Sequence, residues 1–140
     1  MTGIREQAIA AIVEQLASVG TFTVARNEVI PSVIGEGGHV VVRDGGRIDS
    51  QMTLGVRRWW IMHRVVIEAQ AAGADPDAAL DQLLQAVDQA LGSDTTLGGT
   101  VLSCTLDLDD IEMIAGDGAS AIKSALLGAI LEYESANALD

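Results

Sequence analysis

Apolar residues recur along this chain with two different periods, and the changes of period mark out its elements. Over residues 3–19, Ile4, Ala8, Ile12, Val13 and Leu16 fall on one helical face, with Thr2 placed to cap the start and Gly20 the end. Residues 21–29 (TFTVARNEV) are rich in β-branched side chains and suit a strand, which Pro31 ends. A Gly35–Gly38 turn leads into a short strand at 39–43, and Asp44-Gly45-Gly46 reads as the turn after it. Residues 45–57 keep no clean period and predict a long, exposed, flexible loop. Over 58–71 the period becomes two. Trp59, Ile61, His63, Val65, Ile67 and Ala69 point to the core; Trp60, Met62, Arg64, Val66, Glu68 and Gln70 point away.

A second helix opens at Asp75-Pro76-Asp77, with Asp75 as cap, Pro76 at the first helical position and Asp77 complementing the dipole. Leu80, Leu83, Leu84, Val87 and Leu91 form its apolar stripe, and Gly92 stops it. After a turn at 93–99, residues 100–114 predict a strand with Leu102, Cys104, Leu106 and Leu108 on one face. Asp117-Gly118 reads as a turn or loop. Residues 123–135 predict a last strand with Leu127, Ala129, Leu131 and Tyr133 inward. Ala, Leu and Glu there also suit a helix, but Gly128 and the alternating LEYES favour strand. The fold class is therefore α+β. A mainly antiparallel or mixed sheet of about four to five strands carries two helices on one face.

Composition sharpens that picture. The chain has 140 residues, 49% of them apolar but only four aromatic, enough for one domain spanning 1–140. Two helices cannot cover both faces of such a sheet, so the surplus apolar surface predicts partial covering by another subunit. The net charge of −12 excludes a free nucleic-acid-binding domain, and a mean hydropathy of +0.31 excludes disorder. The N-terminal apolar residues are spaced helically rather than packed into a signal peptide, and no run approaches a membrane span. Charge is uneven: residues 26–64 carry six arginines against four acids, whereas residues 65–140 carry Lys123 against fourteen. A subunit with one acidic and one mildly basic side can stack head-to-tail on copies of itself.

Catalytic and metal chemistry find little footing. His39 and His63 lie on different predicted strands with no metal-ligand spacing, and His63 on an apolar face reads as a buried structural histidine. The acidic run Asp107–Glu112 lacks the spacing and glycine of a calcium loop, and a β-strand sends Asp107 and Asp110 to opposite faces. The glycines at 35–38 precede a strand rather than a helix, so no phosphate cradle forms. A lone Cys104 between Leu102 and Leu106 reads as a buried, inert thiol. No enzyme, metal or cofactor is expected. The most suggestive cluster is Arg57-Arg58-Trp59-Trp60, because Arg and Trp anchor protein interfaces. With Arg43, Arg47, Met62 and Arg64 on the same edge or strand, Arg57, Arg58 and Trp60 form a candidate subunit or partner interface.

The layout resembles the tail terminator (tail completion, minor tail protein) family of long-tailed bacteriophages and phage-like particles. The resemblance runs over residues 4–135: IREQAIAAIVEQL followed at once by TFTVARNEV, RRWWIMHRVVIEAQA, the Asp-capped DPDAALDQLLQAVDQAL, then DTTLGGTVLSCTL and a final ILEYE. It implies a structural virion protein forming a homo-hexameric ring. Such a ring caps the tail tube, stops its elongation and meets the head–tail connector. The implied partners are the tail tube protein and the connector proteins. The implied location is the virion tail at the head–tail junction, after assembly in the host cytoplasm. The loop at 45–57 resembles one that orders in the ring, and Glu134 after Tyr133 departs from relatives with a basic residue there. A different class of function, a small-molecule-binding or regulatory α+β module forming a dimer, would require a buried apolar pocket with convergent polar groups.

Overall fold

The computed structural model describes residues 2–28, 34–35, 37–53, 57–114 and 122–140. The elements run α1 (Ile4–Ala17), β1 (Thr23–Arg26), β2 (His39–Met52), β3 (Trp59–Ala72), α2 (Pro76–Gly92), β4 (Ser103–Ile114) and β5 (Ile122–Ser135). The five strands form one mixed sheet in the order β1-β2-β3-β5-β4, so the α+β architecture holds. β1 runs parallel to β2; every other neighbouring pair is antiparallel. A parallel pair needs a crossover of about a dozen residues. Residues 27–38 supply it, and its start, Glu28, lies over the sheet face away from the helices, where its carbonyl accepts from Arg43. The break expected at Pro31 and the turn expected at Asp117-Gly118 lie outside the described residues.

Both helices pack on one face. Ala8, Ile9, Ile12 and Leu16 of α1 and Leu80, Leu83, Val87 and Leu91 of α2 are buried in one cluster with the inward residues of β2, β3 and β5. The inward set expected on β3 is there: Ile61, His63, Val65, Ile67 and Ala69 are all buried, and Trp59 packs at the rim. Leu127, Ala129, Leu131 and Tyr133 are buried on β5 as the alternation required. Asp75 caps α2 by accepting from the Ala78 amide, with Pro76 at the first position where no amide hydrogen is needed.

Three expectations are corrected. The loop expected at 45–57 is strand through Met52, and residues 54–56 lie outside the described residues. Pairing with β3 carries β2 onward, although its residues 44–49 and 51–52 are exposed. Asp44-Gly45-Gly46 is not a turn but a shift in the β2–β3 register, followed by another at Ile48. Such bulged, solvent-facing pairing hides the two-residue period. Second, Leu102 lies before β4 and is exposed; Cys104, Leu106 and Leu108 do share the helix side as expected, although Leu108 is exposed there. The helices pack on β1, β2, β3 and β5 and leave β4 largely uncovered. Third, Thr2 does not cap α1. Gly3 is the cap residue with no side chain to offer, and the Asp140 carboxylate reaches across to accept from the Ile4 amide at 2.7 Å. A side chain on residue 3 would collide with that carboxylate, which is why glycine suits the position.

The helices are also shorter than the sheet. Fourteen-residue strands span about 46 Å, whereas the longer helix spans about 26 Å. One end of β2 therefore extends past its cover as an open ribbon.

Candidate functional site

Among the described residues no helix covers the other face of the sheet, the one away from α1 and α2. It is built from the alternate residues of each strand: Arg43 and Asp49 on β2, Trp60, Met62, Arg64 and Val66 on β3, Leu126, Gly128, Ile130 and Glu132 on β5, and Thr105, Asp107 and Asp110 on β4. Its β1-side end is closed, with His39, Val41 and Gln70 buried; the rest is half-buried or exposed.

Of the candidate interface residues, the structure brings Arg43, Trp60, Met62 and Arg64 onto this face. Arg47 lies on the opposite, helix-bearing face, opposite His63, where its guanidinium donates to the Asp140 carbonyl at 2.9 Å. Arg57 and Arg58 are exposed just before β3. The arginines do not form an open basic patch. Arg43 pairs with Glu68 at 2.8 Å, Arg58 with Glu134 at 3.7 Å and Arg64 with Asp109; the Trp60 indole donates to Glu132 at 2.7 Å. Arg43, Arg58 and Arg64 have each met an acid of the same sheet. Arg57 has no ion-pair partner among the described residues.

The Arg64–Asp109 pair explains the glycine inside β5. Arg64 is on β3 and Asp109 on β4, so the side chain must cross the strand between them. It does so over Gly128, where a Cβ would lie 2.6 Å from the guanidinium. Asp109 itself is the extra residue of a bulge between Leu108 and Asp110. That bulge resets the alternation, so Asp107 and Asp110 share the bare face rather than pointing apart as an unbroken strand would place them. Among the described residues no group of acids, histidines and cysteine is arranged to hold a metal ion.

The histidines are both structural partners of acids. His63 is buried on the helix-bearing side and meets Asp44 at 2.6 Å; Arg5 lies 3.6 Å from the same carboxylate. Burial pushes the Asp44 carboxyl up, but the Gly46 amide, His63 and Arg5 together outweigh it and hold the group below the usual range. His39 is held between the Thr23 hydroxyl at 2.5 Å and Glu28 at 3.3 Å. Sequence spacing missed this trio, because β1 and β2 are brought together only by the crossover. Hydroxyl, imidazole and carboxylate stand in the order of an activated nucleophile. None of the surface grooves described is lined by the three residues, and the trio ties β1 to β2.

The DTTLGG segment is a plug rather than a ligand loop. Asp94 accepts from the Thr96 amide and hydroxyl and from the Gly98 amide, at 2.7–3.0 Å. Those bonds, led by the Thr96 hydroxyl, hold the Asp94 carboxyl below its usual range. The turn drives Leu97, at a positive φ of 51°, into the core, and Gly98 and Gly99 continue in the left-handed region where glycine is favoured. Cys104 is buried and its thiol is pushed up to about 11 by desolvation, so it is protonated and unreactive at neutral pH.

The surface carries open grooves. One of about 220 Å³ runs between α2 and β4, lined by Leu84, Val87, Asp88, Leu106, Leu108 and Leu127 among others. Another, of about 170 Å³, lies on the bare face between Glu68, Asp110, Glu112, Ser124 and Leu126. No helix is long and apolar enough to cross a membrane among the described residues.

No protein-family model matches the chain, and no curated protein matches it. Among solved structures, the chain is similar to one from the virion of a native gene transfer agent (GTA) particle. The TM-score is 0.47 with 17% identity, over 89% of this chain and 93% of that one.

Proposed function

We propose that this chain is a structural virion protein, the tail terminator of a phage or phage-like particle. In this reading it forms a homo-hexameric ring at the head–tail junction. The ring caps the tail tube, stops its elongation and offers the connector proteins a surface. The observation that carries the reading is the one-sided sheet. Both helices sit on one face, and among the described residues no element covers the other face and each sheet edge has a neighbour on one side only. The element order α1-β1-β2-β3-α2-β4-β5 is the one the family resemblance implies.

The bare face then meets a partner through Trp60, Met62, Arg43 and Arg64, with Arg57 and Arg58 at its end; Arg47, on the helix-bearing side, lies outside that contact. Because Arg43, Arg58 and Arg64 already hold acids, binding there exchanges ion pairs rather than burying unpaired charge, which is the less costly route. The alternative, a dimeric ligand-binding module, is not favoured. The grooves described open at the surface, and none combines an enclosed apolar pocket with convergent polar groups.

Native mass spectrometry and electron microscopy of the purified chain test the reading, followed by addition to polymerising tail tube protein. Six-fold rings that cap tubes and fix their length are expected. Monomers at every concentration, with no association to tubes, would overturn it. If Trp60→Ala combined with Arg57→Glu leaves ring and tube capping unchanged, these two residues are not the anchors.

A further inference from the structure

The end of β4 combines an open edge with two kinds of side chain sorted by face. β4 pairs with β5 alone among the described residues, and beyond the Asp109 bulge its register runs unbroken over Asp110–Ile114. An unpaired edge carries free amides and carbonyls and is a template for another strand. No proline interrupts it. Ile111 lies opposite the core residue Ala125, and Met113 opposite Lys123, whose ammonium meets Asp77 of α2. Both therefore stand on the helix side, 44% and 56% exposed. Asp110 and Glu112 stand on the bare face, opposite Leu126 and Ser124.

The acids line the groove of about 170 Å³ on that face, with Glu68, Ser124 and Leu126. Glu68 is already held by Arg43 and by the Gln70 amide. Asp110 and Glu112 have no ion-pair partner among the described residues, and β4 has no basic residue of its own. Two polar groups beside them are also left unanswered. Ser124 is 8% exposed, and its hydroxyl makes no hydrogen bond. Gln70, in the same cross-strand row as Ser124 and Glu112, is 6% exposed with its Oε1 buried and unpartnered. Buried polar atoms are normally paired, so this groove is short of hydrogen-bond donors as well as of positive charge. Repelling other chains would explain the acids. It would not explain Ile111 and Met113 left bare beside them, or the unanswered hydroxyl.

We infer that the Asp110–Ile114 edge of β4 receives an extended segment of a different protein chain, with lysine or arginine alternating with apolar residues. Residues directly opposite on paired strands share a face. The segment's apolar residues then cover Ile111 and Met113, and its basic residues lie beside Asp110 and Glu112. From there a long cationic side chain crosses β4 to donate into the groove at Ser124. Arg64 already makes a crossing of that span, from β3 past β5 to Asp109 on β4. Backbone pairing supplies affinity, and the sorted side chains supply selection. A second copy of this chain is a poor occupant. Along its other edge Asp44–Met52 carries two acids against Arg47, and Arg26 of β1 is already held by Glu6. The inference stands apart from the ring reading, and its test reads peptide binding rather than assembly.

NMR titration of the full chain tests it, with a short capped peptide of alternating lysine and valine as the probe. The peptide should shift the backbone amides of residues 110–113 and slow their hydrogen exchange. A peptide of the same composition, with lysines and valines in separate blocks, should bind about tenfold more weakly. N-methylation of the valines and, separately, of the lysines removes alternate amide donors while keeping the charge. One of the two, the set facing β4, should lose binding. Asp110→Asn with Glu112→Gln should weaken binding of the alternating peptide about tenfold, with the melting temperature near wild type. Ser124→Ala should weaken it about threefold. Equal binding of the alternating and block peptides means charge attraction alone and overturns the inference. So does binding that survives both N-methylated forms, or that is undiminished in the acid and serine variants. Slowed exchange at 110–113 that grows with the concentration of the chain alone makes a second copy the occupant and overturns it. Absence of any shift up to the solubility limit of the peptide overturns it as well.

Discussion

The two faces of the sheet are held by different physics. On the helix side, Ile61, Val65, Ile67, Ala129 and Leu131 lose essentially all solvent contact. Each large side chain contributes about 1.5–3 kcal/mol by leaving water. On the bare side, Arg43–Glu68, Arg64–Asp109 and Trp60–Glu132 cross between strands, half exposed. Exposed pairs of that kind contribute about 1 kcal/mol or less each. One face therefore fixes the fold, and the other can trade its contacts for a partner's at little cost to it.

The sharpest contrast comes from truncation. Ile67→Ala, on the helix side, should lower the unfolding free energy in urea by about 2–5 kcal/mol. Leu126→Ala, 40% exposed on the bare face, should change it by less than about 0.5 kcal/mol. Equal losses would mean that the bare face is as fully packed as the other.

Gly128→Leu probes the ion-pair lacing itself. It places a side chain where the Arg64 guanidinium crosses, 2.6 Å from the would-be Cβ, and should cost about 1–3 kcal/mol. In an Arg64→Ala background the same change should cost much less, because the obstacle is gone. An undiminished cost in that cycle would assign the glycine to backbone needs instead.

Asp140 belongs to the helix side yet acts through polar bonds. It accepts from the Ile4 amide, and the Ser135 hydroxyl donates to its other carboxylate oxygen at 2.6 Å. Asp140→Ala should cost about 1 kcal/mol, the worth of a helix cap, read as a lower melting temperature. Asp140→Asn should keep most of it.

The smallest effect concerns acid. The Arg26 guanidinium holds the Glu6 carboxyl below its usual range, and Asp44 and Asp94 are lowered as well. Groups with lowered folded values stabilise the native state fully above their unfolded values. They lose that contribution as pH falls through the folded ones. Stability should hold from pH 7 down to about 5 and decline below about 4. Asp94→Asn should flatten part of that decline in melts taken across pH. A steeper fall above pH 5 would implicate other groups.

Much of the fold was legible because its signals are local. The alternation through Trp59–Ala69 and Leu127–Tyr133 needed only the chain's own neighbours, as did the helical stripe from Leu80 to Leu91 and the Asp75-Pro76 start. The candidate site was half legible. Trp60, Met62 and Arg64 were placed on the outward side of β3 by parity alone. Their partners Glu132 and Asp109 were not, since those depend on β5 and β4 lying beside β3 in that order.

What the sequence determined by itself is therefore the identity of the elements, their inward faces and the uneven charge along the chain. The tertiary structure decided how far β2 extends, because its exposed half is strand only through pairing with β3. It decided that Asp140 caps a helix 136 residues away, that the Asp109 bulge turns Asp110 to the side of Asp107, and that Gly128 makes room for Arg64. Local periodicity comes from one residue's relation to the next few. Caps, bulges and crossings come from which distant strands share an edge, and only the folded sheet sets that.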